Sequence, residues 1–288
     1  MRYSPSKRIR QSTRLLLILC MIILLSACFE RLIYNNLNTT IANRIADYVT
    51  LSSNQETLLD QRLKSVLAWH SMQELPLYQT KLQSLARINA DDISQTLVEN
   101  QIKQLRQYQQ NLLNRLATEL LIVSQTLTSE QKQQILSSIK KTQQKIDKKQ
   151  LSKSQAELQE DVYERIVEVS EWFIGSVNRG QQQLIRQATK RLTPPAVGWQ
   201  EHNARVYLKW QKLFQLTPTT PEYKSQFMSL FLSSNRLYGN ALSQKVNDDL
   251  SLISALITDI AHLMSHKQWQ HFHEHIEQLQ KIIHNLRR

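Results

Sequence analysis

Apolar residues recur every three to five positions along much of the chain, separated by Gln, Lys, Arg and Glu. The clearest run covers residues 92–123. Its apolar positions are Ile93, Leu97, Ile102, Leu105, Tyr108, Leu112, Leu116, Leu120 and Val123. This spacing places the apolar side chains on one face of an α-helix. The same periodicity predicts helices over residues 154–174, 203–214 and 248–263.

Proline and glycine mark where the predicted helices end. The chain has only four glycines, and it contains no Asn-Gly or Asp-Gly pair of the kind that turns a β-hairpin. Breaks are predicted at Pro76, at residues 194–195 and at residues 218–221. We therefore predict an all-α fold, an elongated bundle of about eight to ten helices. The break at 194–198 is either a subdomain boundary or a tight corner within one bundle.

A short motif recurs four times, each time where a helix is predicted to begin. A cap residue is followed by glutamine three positions later and by an apolar residue seven positions later. The copies are Ser52, Gln55 and Leu59; Thr128, Gln131 and Ile135; Asn178, Gln181 and Ile185; and Ser265, Gln268 and Phe272. In such a capping box the cap side chain and the glutamine side chain each accept a backbone N–H of the other residue. The irregular separations of the copies argue against a solenoid.

The first 27 residues have the three parts of an export signal. Five basic residues and no acidic residue precede an apolar stretch over residues 15–25. At about 1.5 Å per residue this stretch covers roughly half of a bilayer core, which is too short for a stable transmembrane helix. The tail Leu25-Ser26-Ala27-Cys28 resembles the lipobox of bacterial prolipoproteins. An ordinary signal peptide or a single anchoring helix is the alternative.

The lipobox resemblance implies cleavage between Ala27 and Cys28 and a diacylglyceryl group plus an N-acyl chain on Cys28. Phe29 follows the cysteine instead of the Asp that retains lipoproteins in the inner membrane. We therefore expect the outer membrane, facing the periplasm, with surface exposure as the alternative. The predicted organisation is a signal peptide over 1–27, a lipidated tether over 28–38 and a helical periplasmic domain over 39–288.

Cysteine and charge narrow the chemistry further. Cys20 leaves with the signal and Cys28 is expected to be acylated, so the mature chain has neither a disulfide nor a cysteine nucleophile. Residues 28–288 carry a net charge of +7, because five of the 36 basic residues lie in the signal. In the periplasm this charge favours an envelope protein or an anionic envelope polymer or lipid as the partner, and no nucleic acid.

The densest basic block lies within residues 140–153. Its lysines are Lys140, Lys141, Lys145, Lys148, Lys149 and Lys153, and only Asp147 interrupts the positive charge. On a helix these lysines would form a polar face opposite Ile135, Ile139 and Ile146. Such a face is either a surface for anionic lipid phosphates or a solvated helix end.

The most distinctive local string is Trp69-His70-x-x-x-Glu74-Leu75-Pro76. His70 and Glu74 are four residues apart, so their side chains can pair on an α-helix. One interpretation is a binding patch or a base oriented by a carboxylate. The other is a structural corner, in which Trp69 fills the core and the pair supports a bend at Pro76.

The C-terminal segment is rich in histidine. Its histidines are His262, His266, His271, His273, His275 and His284. His271 and His275 are spaced so that two imidazoles could bind one metal ion, although no His-Glu-x-x-His motif is present. These two are weak candidates for metal ligands, and a solvated polar face is the alternative. No dedicated metal, cofactor or catalytic residue is predicted.

Two resemblances arise on these motifs. Leu127-Thr128-x-x-Gln131 is similar to the signature of the Spy/CpxP-type periplasmic chaperones, which are shorter and not lipidated. A broader pattern over about residues 28–185 resembles an uncharacterised family of Gram-negative lipoproteins. Its parts are Leu32-Ile33-Tyr34-Asn35, Leu51-Ser52-x-x-Gln55, Trp69-His70-x-x-x-Glu74-Leu75-Pro76-x-Tyr78 and Trp172-x-x-Gly175. Ser71 stands where that family's pattern has a basic residue. The resemblance implies an α-helical envelope lipoprotein.

Three functions follow from these patterns as hypotheses. The first is a non-enzymatic interaction or assembly factor of the cell envelope, anchored to the bilayer by the acyl chains of Cys28. The second is a chaperone that holds unfolded envelope proteins, which requires an exposed apolar face. The third is a metal-binding protein that uses the C-terminal histidines.

Overall fold

The structure is a computed structural model that describes residues 37–192, 196–232 and 237–287. In these ranges the chain is all-α and has no β-strand, so the predicted fold class is confirmed. None of the helices found there is long and apolar enough to cross a bilayer. The predicted signal over 1–27, the predicted lipidation site Cys28 and the first part of the predicted break over 194–198 lie outside the described residues. Residues 196–198 of that break are described, and they already belong to a helix that begins at Ala196.

Eleven α-helices fall within the described ranges. The helices predicted over 92–123 and 154–174 are found within a few residues of those bounds, whereas those predicted over 203–214 and 248–263 begin earlier, at Ala196 and Asn240. The first six are α1 (Leu37–Ala46), α2 (Ser53–Trp69), α3 (Leu75–Leu85), α4 (Gln95–Ser124), α5 (Ser129–Leu151) and α6 (Gln155–Ile174). The others are α7 (Arg179–Leu192), α8 (Ala196–Gln215), α9 (Pro221–Leu232), α10 (Asn240–His262) and α11 (His266–Leu286). A short 3₁₀-helix at Ala90–Asp92 precedes α4.

Helix α1 covers the last two residues of the predicted tether over 28–38. Leu37 and Asn38 already belong to α1, and the Asn38 amide donates to Asp60 Oδ1 of α2 at 2.7 Å. This bond and the packing of α1 on α2 extend the folded part toward the N-terminus.

The predicted break at Pro76 is wrong, because the chain stays helical from Ser53 to Leu85. A π-helical turn, His70–Glu74, joins α2 to α3, and the Leu75 N–H bonds to the His70 carbonyl five residues back. Pro76 lies in the first turn of α3. Proline is tolerated there, since the first N–H groups of a helix lack partners inside that helix.

Buried residues form separate clusters along the helices. Leu59 and Leu63 of α2 pack with Val123 near the end of α4. Tyr223 of α9, which is fully buried, packs with Leu121 on the same helix α4. Because α4 contacts α2, α9 and α10, it is the element against which the N-terminal and C-terminal parts of the chain both pack.

Candidate functional site

The four motif copies form reciprocal caps. The backbone N–H of Ser52, Thr128, Asn178 and Ser265 each donates to the side-chain oxygen of the following glutamine at 2.9 Å. The glutamine N–H donates back to the cap side chain at 3.0–3.5 Å. Each bond satisfies a backbone donor that the first turn of a helix would otherwise leave without a partner.

The glutamines also pair with each other across the fold. The Gln55 amide nitrogen donates to Gln131 Oε1 at 2.9 Å, and the Gln131 nitrogen donates to Gln55 Oε1 at 2.6 Å. The same nitrogens donate to carbonyls of the opposite loop, Thr126 O at 2.8 Å and Thr50 O at 2.9 Å. Both glutamines are buried. The pair therefore joins the starts of α2 and α5.

The third and fourth copies repeat this arrangement. Gln268 Nε2 donates to Gln181 Oε1 at 2.8 Å and to Ser176 O at 2.6 Å. Gln181 Nε2 donates to Ile260 O at 3.1 Å and lies 3.5 Å from Gln268 Oε1. Gln181 is fully buried. This second pair joins the starts of α7 and α11, so the repeat that predicts four helix starts also builds two buried glutamine pairs.

The string from Trp69 to Pro76 lies at the π-helical turn between α2 and α3. Glu74 is only 3% exposed, and its Oε1 accepts a hydrogen bond from Asn111 Nδ2 of α4 at 3.2 Å. Its other oxygen is buried and has no hydrogen-bond partner among the described residues. The prediction that His70 and Glu74 pair relied on the four-residue spacing of an α-helix, and these two residues lie in a π-helical turn with a wider spacing. Their pairing stays a prediction.

Aromatic rings surround His70. Its ring meets Tyr78 edge-on with the centroids 5.5 Å apart, and Tyr78 lies 4.9 Å from Tyr108 of α4. Burial lowers the pKa of His70 to about 4, so the imidazole is neutral near neutral pH. Burial and the charge of Glu74 raise the pKa of Tyr108, while a bond from Gln104 opposes that shift. The base of the turn is thus a tightly packed set of polar and aromatic groups.

Solvent-exposed side chains lie on the π-turn and in the first turn of α3. The side chain of Met72 is 66% exposed and that of Leu77 is 46% exposed. Gln73 between them is exposed as well. Two large apolar side chains are therefore presented on a backbone that the buried residues Glu74 and Tyr78 hold in place. Sequence reasoning singled out the string but missed Tyr108 and Asn111, which come from α4.

The C-terminal histidines do not form one cluster among the described residues, because they contact different parts of the fold. The rings of His271 and His275 are nearly parallel with centroids 6.3 Å apart, and His275 also meets Trp172 edge-on. Burial, together with the charge of His271, lowers the pKa of His275. His262 and His273 instead contact backbone carbonyls of the segment before α4. Within the described ranges no group of three or more potential ligands could hold a metal ion.

A family model described as a family of unknown function, DUF6279, matches residues 47–242, which is more than half of the chain. The chain belongs to this family. The match spans α2 to the start of α10, so the DUF6279 region contains the π-turn and three of the four paired glutamines. Gln268 and the C-terminal histidines lie beyond it. The comparisons with curated proteins and with solved structures gave no match.

The predicted basic block extends along α5 in the DUF6279 region. Five of its six lysines, Lys140, Lys141, Lys145, Lys148 and Lys149, are exposed. Lys153 lies past the end of α5 and forms an ion pair with Asp161. Asp147 is half-buried, and its pKa is raised by burial although a bond with Asn203 opposes the shift. The positive charge of α5 therefore faces solvent.

Proposed function

We propose that this DUF6279 protein is a lipid-anchored, non-enzymatic interaction or assembly factor of the cell envelope. The observation that supports the proposal is the exposure of two apolar side chains, Met72 on the π-turn and Leu77 in the first turn of α3, next to the buried Glu74. Methionine is suited to such a role, because its flexible, polarisable side chain adapts to different apolar partners. The half-buried His70 and the buried Glu74 then serve to hold the shape of the contact surface.

The anchor is the second part of the proposal. The Leu25-Ser26-Ala27-Cys28 pattern and Phe29 support a lipid on Cys28 and the outer membrane, facing the periplasm. Two or more acyl chains anchor a protein stably.

We expect palmitate to label the wild type and not the Cys28→Ala variant, and we expect the variant to leave the outer-membrane fraction. The measurement is metabolic labelling with membrane fractionation. Unlabelled wild-type protein, or equal labelling of the variant, would contradict the anchor.

A photo-crosslinking side chain in place of Met72 should give discrete adducts with one or a few envelope proteins in intact cells. The matched control carries the same side chain in place of Ile257, an exposed apolar residue of α10. Adducts are expected at position 72 alone, because only that residue lies on the proposed contact surface. They are detected by immunoblotting and identified by mass spectrometry.

If positions 72 and 257 gave the same crosslinked adducts, or if position 72 gave none, the π-turn would not be the contact surface. A smear of many adducts at position 72 would instead favour the second candidate function, a Spy/CpxP-like chaperone. The exposed apolar side chains and the Leu127-Thr128-x-x-Gln131 motif favour that candidate. The purified protein would then suppress aggregation of an unfolded client at stoichiometric amounts, and the Met72→Ser/Leu77→Ser variant would not.

A further inference from the structure

Helices α5 and α8 form an antiparallel pair. In the loop that precedes α5, the Gln125 amide donates to the carbonyl of Pro218, which follows the end of α8, at 3.0 Å. Farther along α5, the Gln143 amide donates to the Asn203 carbonyl in the first half of α8, also at 3.0 Å. Along this contact, residue numbers that rise toward the end of α5 are matched by residue numbers that fall toward the start of α8. The C-terminal end of α5 and the N-terminal end of α8 are therefore at the same end of the pair.

This end carries a concentrated positive charge. The five exposed lysines of α5 fall within about half of the helix circumference at 100° per residue. None of them forms an ion pair with a residue that the structure describes. Elsewhere lysines do find partners, as Lys64 does with Asp60 and Lys245 with Asp249. The lysines of α5 thus remain available to an anionic surface.

Exposed apolar side chains lie at the same end. Leu151 is the last residue of α5 and is 53% exposed, and Val197 in the first turn of α8 is 61% exposed. Cations beside exposed apolar side chains are typical of proteins that lie on a bilayer surface. The cations meet lipid phosphates, and the apolar groups enter the boundary between headgroups and acyl chains.

We propose that this end of the α5–α8 pair docks on the surface of an anionic phospholipid bilayer. The exposed lysines would contact headgroup phosphates, and Leu151 and Val197 would enter the interface. The inference goes beyond the proposed function, since it requires neither Met72 nor a protein partner. The partner of this surface is inferred to be a bilayer for two reasons. The lysines are complementary in charge to lipid phosphates, and the exposed apolar side chains would have no role in binding a soluble polyanion.

An environment-sensitive dye at position 151 tests the docking. A Leu151→Cys variant of the full chain is purified from envelopes and reconstituted into vesicles of neutral phosphatidylcholine, with or without anionic phosphatidylglycerol and a lipid-borne quencher. We expect quenching in the anionic vesicles, loss of quenching in high salt, and none in neutral vesicles. A dye at Ile257→Cys should stay unquenched in both.

Two charge variants separate docking from general attraction. The first replaces the five exposed lysines of α5 by glutamine. The matched control replaces Lys103, Lys190, Lys224, Lys267 and Lys281, which are also exposed, and removes the same total charge. Each lysine near an anionic surface is worth roughly a fivefold change in partitioning. The first variant should therefore lose at least about tenfold in the ratio of docked to undocked protein, which is read from the quenching of the dye at position 151 in anionic vesicles. The control should lose much less.

Equal quenching in neutral vesicles, equal loss in both charge variants, or no quenching would overturn the proposal. Binding to soluble polyphosphate with no quenching by lipid would overturn it in favour of a soluble polyanion. If the protein does not stay with neutral vesicles at all, the proposed lipid anchor on Cys28 is contradicted, and this result leaves the docking proposal to be tested on its own. Sedimentation with anionic vesicles alone then still supports docking, and its absence overturns it.

Discussion

Replacing Gln181 with alanine is expected to lower the free energy of unfolding by about 3 to 5 kcal/mol. Gln181 is fully buried, and its amide accepts the Asn178 N–H and donates to the Ile260 carbonyl. It also pairs with Gln268. A lost cap costs about 1 kcal/mol, and each buried polar group left without a partner costs about 1–3 kcal/mol.

Urea unfolding followed by tryptophan fluorescence measures this loss. The matched control is Gln183→Ala, which changes an exposed glutamine two residues along the same helix. We expect the control to change stability by less than about 0.5 kcal/mol. Equal effects of the two substitutions would show that the buried pair contributes nothing beyond helix propensity.

A double-mutant cycle distinguishes the pair from two independent caps. Gln181→Ala and Gln268→Ala should be strongly non-additive, because the second substitution removes a group that the first has already left without its partner. Gln181→Ala and Gln55→Ala belong to different pairs and should be nearly additive. Additivity in both cycles would contradict the coupling.

Acidification from pH 7 to pH 4 is expected to cost the wild type about 3 kcal/mol more than the His70→Phe variant. His70 has an ordinary pKa of 6.5, and burial lowers it to about 4 in the fold. Below pH 6.5 the unfolded chain therefore binds a proton that the folded chain does not. Stability falls as the pH drops from 6.5 to about 4 and changes no further below that range.

The comparison with His70→Phe isolates this contribution. Phenylalanine keeps a ring beside Tyr78 and removes the nitrogens that titrate. His275 also has a lowered pKa, so the wild type loses stability from that residue with the same sign. That loss is common to both proteins and cancels in the difference. The control is His284→Phe at an exposed position, which should keep the wild-type pH dependence. Parallel curves for the wild type and His70→Phe would contradict the prediction.

Sequence patterns predict the helices and their caps well, because both depend on residues close in the chain. The spacing from Ser52 to Gln55 is sufficient to predict a capping box. It carries no information about the Gln55 nitrogen, whose partner Gln131 lies 76 residues away. The pairing could be suspected only from the identical glutamine in all four copies.

The π-turn shows the same limit. Proline at position 76 indicates a break, but a proline in the first turn of a helix is compatible with a continuous helical segment when the preceding turn is widened. Tyr108 and Asn111 complete the base of this turn from a separate helix, α4. The place of Tyr108 in the apolar stripe of α4 indicates a helix face and not the residues that it contacts, and Asn111 lies outside that stripe. The burial that lowers the pKa of His70 depends on this packing, so no local pattern could predict it.

The two glutamine pairs also bear on the order in which the chain can fold. One joins residues 55 and 131 and the other joins residues 181 and 268, so the two closures do not overlap along the chain. Each requires closing a segment of similar length, and the entropy of closure grows only slowly with that length. A chain that emerges N-terminus first can complete the first closure before Gln181 is available, as in the stepwise folding of successive units during synthesis. The late arrival of Gln268 leaves Gln181 without its partner until almost the whole chain has emerged.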